Sequence, residues 1–117
     1  FSPWEGSGGV SADEVLATGA TAAIAFNDVL AMGMLERFRE LGVNVPGDMS
    51  VVGCDDILGS DTCVPPLTTI SAPTLRVGVE LTSLLLAAIG SSTEAESELD
   101  FPVQLTIRSS TGPAPAQ

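Results

Sequence analysis

Val45-Pro46-Gly47-Asp48-Met49-Ser50-Val51-Val52-Gly53-Cys54-Asp55-Asp56 carries the strongest structural signal in the chain. A Pro-Gly-Asp turn leads into an apolar run with β-branched residues at its centre, and the run ends on two adjacent carboxylates. A short apolar run bounded by turn signals reads as a strand buried on both faces of a sheet. In an open α/β sheet, ligands bind in the crevice beyond the carboxyl ends of the strands. The pair Asp55-Asp56 is therefore either part of a site or a loop that needs charge.

Upstream, Ala22-Ala23-Ile24-Ala25-Phe26 predicts a short strand ending on Asn27-Asp28, two residue types that cap helices well. A helix follows over about 29–41, closed by Gly42, with Leu30, Ala31, Met34, Leu35, Phe38 and Leu41 on one broad face. Val29 and Met32 lie outside that face, beside Glu36, either as stray surface residues or as a contact with a partner such as a second subunit. Residues 22–54 thus read as β-α-β, which for parallel neighbours implies a right-handed crossover. Ala12, Val15 and Leu16 sit at helical spacing behind Asp13 and Glu14, which predicts a helix over 10–18 stopped by Gly19. Residues 1–9, FSPWEGSGG, are expected to be irregular. Phe1 and Trp4 there are packing plugs, or in the case of Trp4 a stacking platform for a sugar or base ring.

Downstream, residues 57–66 form a loop whose double proline forbids helix, and Leu67-Thr68-Thr69-Ile70 is a short extended piece. A second long helix is expected over 73–89, with Pro73 near its first turn. Val77, Leu81, Leu84, Leu85 and Ala88 make one apolar stripe; Leu75, Val79 and Leu86, with Thr82, make another on the opposite side. A helix apolar on two faces is buried on two faces, and 117 residues leave little to cover the second. That helix calls for a partner outside this chain, either another subunit or a missing lobe. Residues 90–100 read as a solvated acidic linker. Val103, Leu105 and Ile107 alternate with polar residues as a strand with one wet face does, and the tail TGPAPAQ has the composition of a disordered end.

Composition narrows the function classes. Four arginines, no lysine and 15 acidic residues give a net charge of −11. A nucleic-acid module needs a basic patch to displace counterions from phosphates, so this chain does not itself hold DNA or RNA. There is no histidine, which removes Ser-His and Cys-His catalytic pairs, and the two cysteines, Cys54 and Cys63, match no zinc spacing. Two reduced cysteines are the favoured reading, with a disulfide left open. An acidic pair such as Asp55-Asp56 suits Mg²⁺ in a phosphoryl-transfer fold, but no nucleophile, base or phosphate loop accompanies it. The expectation is no enzyme, no metal and no cofactor. No apolar run approaches the roughly 18–20 residues that cross a bilayer. The first residues resemble neither a signal nor a transit peptide, and the chain does not begin with Met. A soluble, cytoplasmic piece cut from a longer protein is expected.

Taken together, Ala23-Ile24-Ala25-Phe26-Asn27-Asp28, the stretch 45–56, and Pro65-Pro66-Leu67-Thr68-Thr69-Ile70 resemble, in order and spacing, the lactose-repressor (LacI/GalR-type) family of transcriptional regulators. The resemblance runs over about 10–112, through the second helix to the ending Leu105-x-x-Arg108-x-Ser110-Thr111. It implies an α/β fold: a periplasmic-binding-protein-like lobe, three-layer α/β/α with a mostly parallel sheet, as a fragment of a two-lobed core. Residues 1–112 would form the C-terminal part of that core, the helix at about 74–89 would pack on the N-terminal lobe, and 113–117 would be a disordered tail. The resemblance implies effector contacts at Asn27 and Asp55, with Trp4 near a stacking aromatic. It implies a homodimer interface at Met32, Leu35 and Cys63, a small-molecule effector of carbohydrate type, and DNA contact only through a separate helix-turn-helix domain. A carboxylate suits vicinal hydroxyls, and an amide both donates and accepts. Asn27 as a cap alone and Asp55 as a loop carboxylate are the bland alternatives, and Asp56 is read as structural. A periplasmic sugar-binding protein of the same fold is the second reading. Cys54 departs from the family, which commonly has Tyr or Phe there, so no particular sugar is implied.

Overall fold

The computed structural model describes residues 3–90 and 99–116, with side chains from Ser7 onward. Its elements are α1 (Pro3–Thr18), β1 (Ala22–Ile24), α2 (Asp28–Glu40), β2 (Ser50–Cys54), β3 (Thr68–Ser71), α3 (Thr74–Gly90) and β4 (Gln104–Thr106). Two compact units divide the chain: Phe1–Ser71 with Leu105–Gln117, and Ala72–Gln104. The four strands form one sheet in the order β1-β2-β3-β4. β1 pairs with β2 in parallel, Ile24 opposite Val52, and β2 with β3 in parallel, Gly53 opposite Thr69.

In the first unit the predicted β-α-β is present. α2 begins where Asn27 Oδ1 accepts the Leu30 N–H at 2.9 Å, so the asparagine caps the helix as its type favours. Ala31, Met34, Leu35 and Phe38 bury one face of α2 against Val51, Met49 and Leu67. Each large side chain removed from water here stabilises the unit by about 1.5–3 kcal/mol. Leu41, expected on the same face, is exposed at the cap.

The structure corrects several expectations. β2 is not buried on both faces: Val51 and Gly53 are buried, whereas Ser50, Val52 and Cys54 are half-exposed. The strand alternates because helices of its unit cover one side, and Ile24 and Phe26 of the neighbouring strand and its end are exposed. Residues 3–9 are not irregular, since α1 starts at Pro3. Proline suits a first helical turn, and Gly8, which looked like a linker residue, serves packing instead. A Cβ on Gly8 would lie 2.6 Å from Gly33 Cα, so the glycines let the α1 and α2 backbones touch. Phe1 lies outside the described residues.

The start of the segment TGPAPAQ departs too, at Thr111 and Gly112. Ser110 is buried, its Oγ donating to Val51 O at 2.6 Å and accepting from Thr68 N at 2.8 Å. Gly112 N donates to Ser50 Oγ at 3.1 Å, so the chain is tied to the sheet through Gly112. Beyond it, residues 113–116 are exposed without regular structure.

The second unit holds α3, which starts immediately after Pro73, and none of its residues is buried. Leu75, Val79, Leu81, Leu85, Leu86 and Ile89 are all exposed, so both predicted stripes stand open. Within this unit the Arg76 guanidinium sits 5.7 Å from the centroid of the Phe101 ring, a cation–π contact. Most of the acidic segment 90–100 lies outside the described residues. Among the described residues no helix is long and apolar enough to cross a membrane.

Candidate functional site

β1 and β2 run in parallel, so Asn27 and Asp55 both emerge at the carboxyl edge of adjacent strands. Open α/β sheets bind ligands at that edge. Asn27 is half-buried, and its Oδ1 is committed to the helix cap. Asp55 is exposed at φ 105°, its N–H donating to Ile70 O at 2.8 Å. Asp56 follows at φ 52°. Two consecutive non-glycine residues in the left-handed region form a turn that local preference alone does not supply. It leaves Asp55 exposed at the end of β2, its carboxylate beside the Cys54 thiol. Trp4 lies in the first turn of α1, and its side chain falls outside the described residues.

Asp56 turns the other way. Its Oδ1 accepts from Arg108 Nη2 at 2.6 Å, with both side chains largely buried, and Arg108 Nη1 also donates to Leu67 O at 2.8 Å. The carboxylate is therefore engaged within the fold.

Sequence reasoning missed the residue beneath this turn. Asp28 is fully buried and accepts three hydrogen bonds: from Ile57 N at 3.0 Å, Ser60 Oγ at 2.5 Å and Thr69 Oγ1 at 2.5 Å. A buried carboxylate is tolerable only when it is satisfied in this way. The Thr69 hydroxyl also accepts the Asp56 N–H at 3.4 Å, which links Asp28 to the turn. Gly53 leaves the room, because a Cβ there would collide with Asp28 Oδ1 and stand 2.9 Å from Leu67 Cδ2. An acidic residue directly after a helix cap, facing a strand glycine and Ser/Thr on later segments, is the signal that marks it.

Met32, Leu35 and Cys63 come together at a groove of about 560 Å³ shared with Glu36, Arg39 and Val64. Leu35 is mainly a core residue, 4% exposed, and meets the groove only at its floor. Cys63 Sγ donates to Ser60 O and Pro65 O, and both cysteines are free thiols. Burial raises the pKa of each thiol, which keeps it protonated near neutrality. In the groove Arg39 pairs with Glu36, and elsewhere on α2 Arg37 pairs with Asp13 and Glu40. Among the described residues no group of three or more acidic or thiol side chains is placed to hold a metal ion.

This parallel sheet, with a polar pair at the carboxyl edge of adjacent strands, defines a binding lobe. A family model, the periplasmic binding protein-like domain, matches residues 3–111, and the chain belongs to that family. Its relatives are LacI-type regulators, as the motifs implied. It is 36% identical over 110 residues to the HTH-type transcriptional regulator MalR of Streptomyces coelicolor, covering 94% of this chain and 32% of MalR. Among solved structures it is similar to a LacI family regulator from Enterococcus faecium with bound ribose. That match has a TM-score of 0.85 and 34% identity, over 97% of this chain and 41% of the other. The CelR–cellobiose complex matches with a TM-score of 0.84 and 31% identity, over 91% and 33%. The chain thus spans about a third of the curated regulator it matches.

Proposed function

We propose that this chain is the C-terminal effector-binding part of a LacI-type transcriptional regulator, and that its effector is a sugar or related polyol. The observation that carries the reading is the placement of Asn27 and exposed Asp55 on adjacent parallel strand ends. The carboxylate can accept from two vicinal hydroxyls while the asparagine amide donates to a third. Ribose and cellobiose in the similar regulators support the ligand class.

Effector binding shifts the relation of two lobes, and the operator affinity of a separate helix-turn-helix domain follows. This chain does not hold DNA; with its net charge of −11 it repels phosphate. The regulator works in the cytoplasm as a homodimer, with the groove at Met32 and Cys63 as a subunit contact and catalysis no part of its role. α3, whose two apolar stripes stand open, packs against the N-terminal lobe.

A thermal-shift screen of the full-length protein against sugars and nucleosides identifies the effector, and Asp55→Ala then abolishes its shift. An undiminished shift in that variant removes Asp55 from the site. The isolated 117-residue chain gives no electrophoretic shift with operator DNA; a retarded band overturns the assignment of DNA binding to another domain.

A further inference from the structure

We propose that Asp28 is the positioning residue of the binding turn: its buried carboxylate, with the Arg108–Asp56 pair, holds residues 55–60 in the conformation that presents Asp55 to the ligand. The inference rests on the reading of Asp55 as a ligand contact, and deepens it by naming what aims the contact.

The turn is costly by itself. Asp55 at φ 105° and Asp56 at φ 52° both occupy backbone regions that side-chain-bearing residues avoid. Such conformations persist only where the surroundings over-determine them, and they cluster at ligand clamps. Here the surroundings are explicit. From one side, Arg108 grips the Asp56 carboxylate while its guanidinium is itself fixed on Leu67 O. From beneath, Asp28 Oδ2 takes the Ile57 N–H and the Ser60 hydroxyl, pinning the two residues that follow and close the turn. Asp28 Oδ1 orients the Thr69 hydroxyl, whose oxygen then takes the Asp56 N–H. The first turn residue is fixed by its own N–H on Ile70 O. Every backbone N–H from Asp55 to Ile57 is thereby tied to a partner outside the turn. Two of the three ties run through Asp28.

Asp28 is fully buried and so touches no ligand; it acts only through the turn. It also opens α2 immediately after Asn27, the other proposed contact. One rigid helix start therefore sets the amide and the carboxylate relative to each other, which is what recognition of a pair of hydroxyls at fixed spacing demands.

The test uses the full-length protein with Asp28→Asn, Asp55→Asn, the double variant, and Thr69→Val, a near-isosteric change that removes only the relay hydroxyl. Amide hydrogen exchange without ligand is read at residues 55–60 and at β2. The dissociation constant for the sugar found by screening is read by calorimetry. In Asp28→Asn the turn exchanges at least about tenfold faster while β2 keeps its protection, because one of the two accepting oxygens becomes a donor: either the Ile57 N–H and Ser60 hydroxyl or the Thr69 hydroxyl loses its acceptor, and the acceptor that remains is uncharged. Affinity falls about tenfold, and the double variant binds no worse than Asp55→Asn alone, as for residues acting through one group. Thr69→Val moves both readouts in the same direction by less, and carries the same cycle with Asp55→Asn if Asp28→Asn does not fold. Unchanged exchange at the turn, or losses that multiply in the double variant, overturn the role of Asp28. Unchanged affinity in Asp55→Asn overturns the proposed function instead, and the exchange data distinguish the two failures.

Discussion

Replacing Gly53 by alanine tests the packing beneath the site, because two effects predict opposite signs. Gly53 is interior to β2, where glycine is worse than alanine by roughly 0.5–1 kcal/mol through its greater loss of backbone freedom. On propensity alone, Gly53→Ala stabilises. The structure says otherwise. The added methyl would collide with Asp28 Oδ1 and meet Leu67 Cδ2 at 2.9 Å. Leu67 is fully buried, and Asp28 is anchored by three donors, so neither has an easy retreat. Displacing Asp28 from Thr69 forfeits a charge-assisted hydrogen bond of about 1.5–3 kcal/mol. Overpacking the core adds about 1–3 kcal/mol. After subtracting the propensity gain, Gly53→Ala destabilises by about 2–5 kcal/mol. With a urea slope of about 1–3 kcal/mol per molar, a loss of 3 kcal/mol lowers the unfolding midpoint by roughly 1–3 M. Gly78→Ala is the control: a Cβ there meets nothing within 4 Å, and helix propensity favours alanine by up to about 1 kcal/mol. A midpoint for Gly53→Ala at or above that of the unmodified protein refutes the packing account of Asp28.

Gly8→Ala forces the α1 and α2 backbones apart, since its Cβ would stand 2.6 Å from Gly33 Cα; a loss of about 1–3 kcal/mol in urea unfolding is expected. Asn27→Ala removes the α2 cap and costs about 1 kcal/mol, whereas Asn27→Asp keeps a cap of equal quality. If Asn27 also binds the effector through its amide, calorimetry on Asn27→Asp shows weakened affinity at unchanged stability. Cys63 gives the pH dependence. Burial raises its folded pKa above the unfolded value of about 8.5, so its contribution is fully present below that pH and is lost as pH rises through the folded pKa. Stability should therefore fall more steeply above about pH 8.5 than in Cys63→Ser. Iodoacetamide should modify Cys63 with a midpoint above that of free cysteine assayed in parallel.

Much of the fold could be read from local pattern. The run 49–54 and the capped helix after Asn27 each became an element within a residue or two of its expected ends. The alternation at 103–107 marked a strand but misplaced its faces: Val103, Leu105 and Ile107 are exposed and Thr106 is half-buried. Glycine misled at the amino end: a flexible linker and a close helix crossing use the same residue, and only the facing Gly33 distinguishes them. Asn27 was legible as a cap because its partner is three residues away. Asp28 was not, because Ile57, Ser60 and Thr69 lie 29, 32 and 41 residues downstream. Arg108, 52 residues from Asp56, is the same case. Local pattern locates strands and caps; the groups that hold a turn from elsewhere in the chain leave no periodicity to find.

Ser110 bears on how this sheet is made. It supplies a carbonyl to Val51 N and a hydroxyl to Val51 O and Thr68 N, stitching the starts of β2 and β3 together from 59 and 42 residues downstream. On a ribosome adding about 5–20 residues per second, Val51 waits roughly 3–12 s for that serine to be joined to the chain. Meanwhile Val52 and Thr68 can pair in the sheet, but β2 and β3 lack the clasp at their amino ends. The nascent β-α-β segment therefore passes through a stage with an unsealed edge, where a chaperone or a neighbouring nascent chain can compete with residues not yet translated.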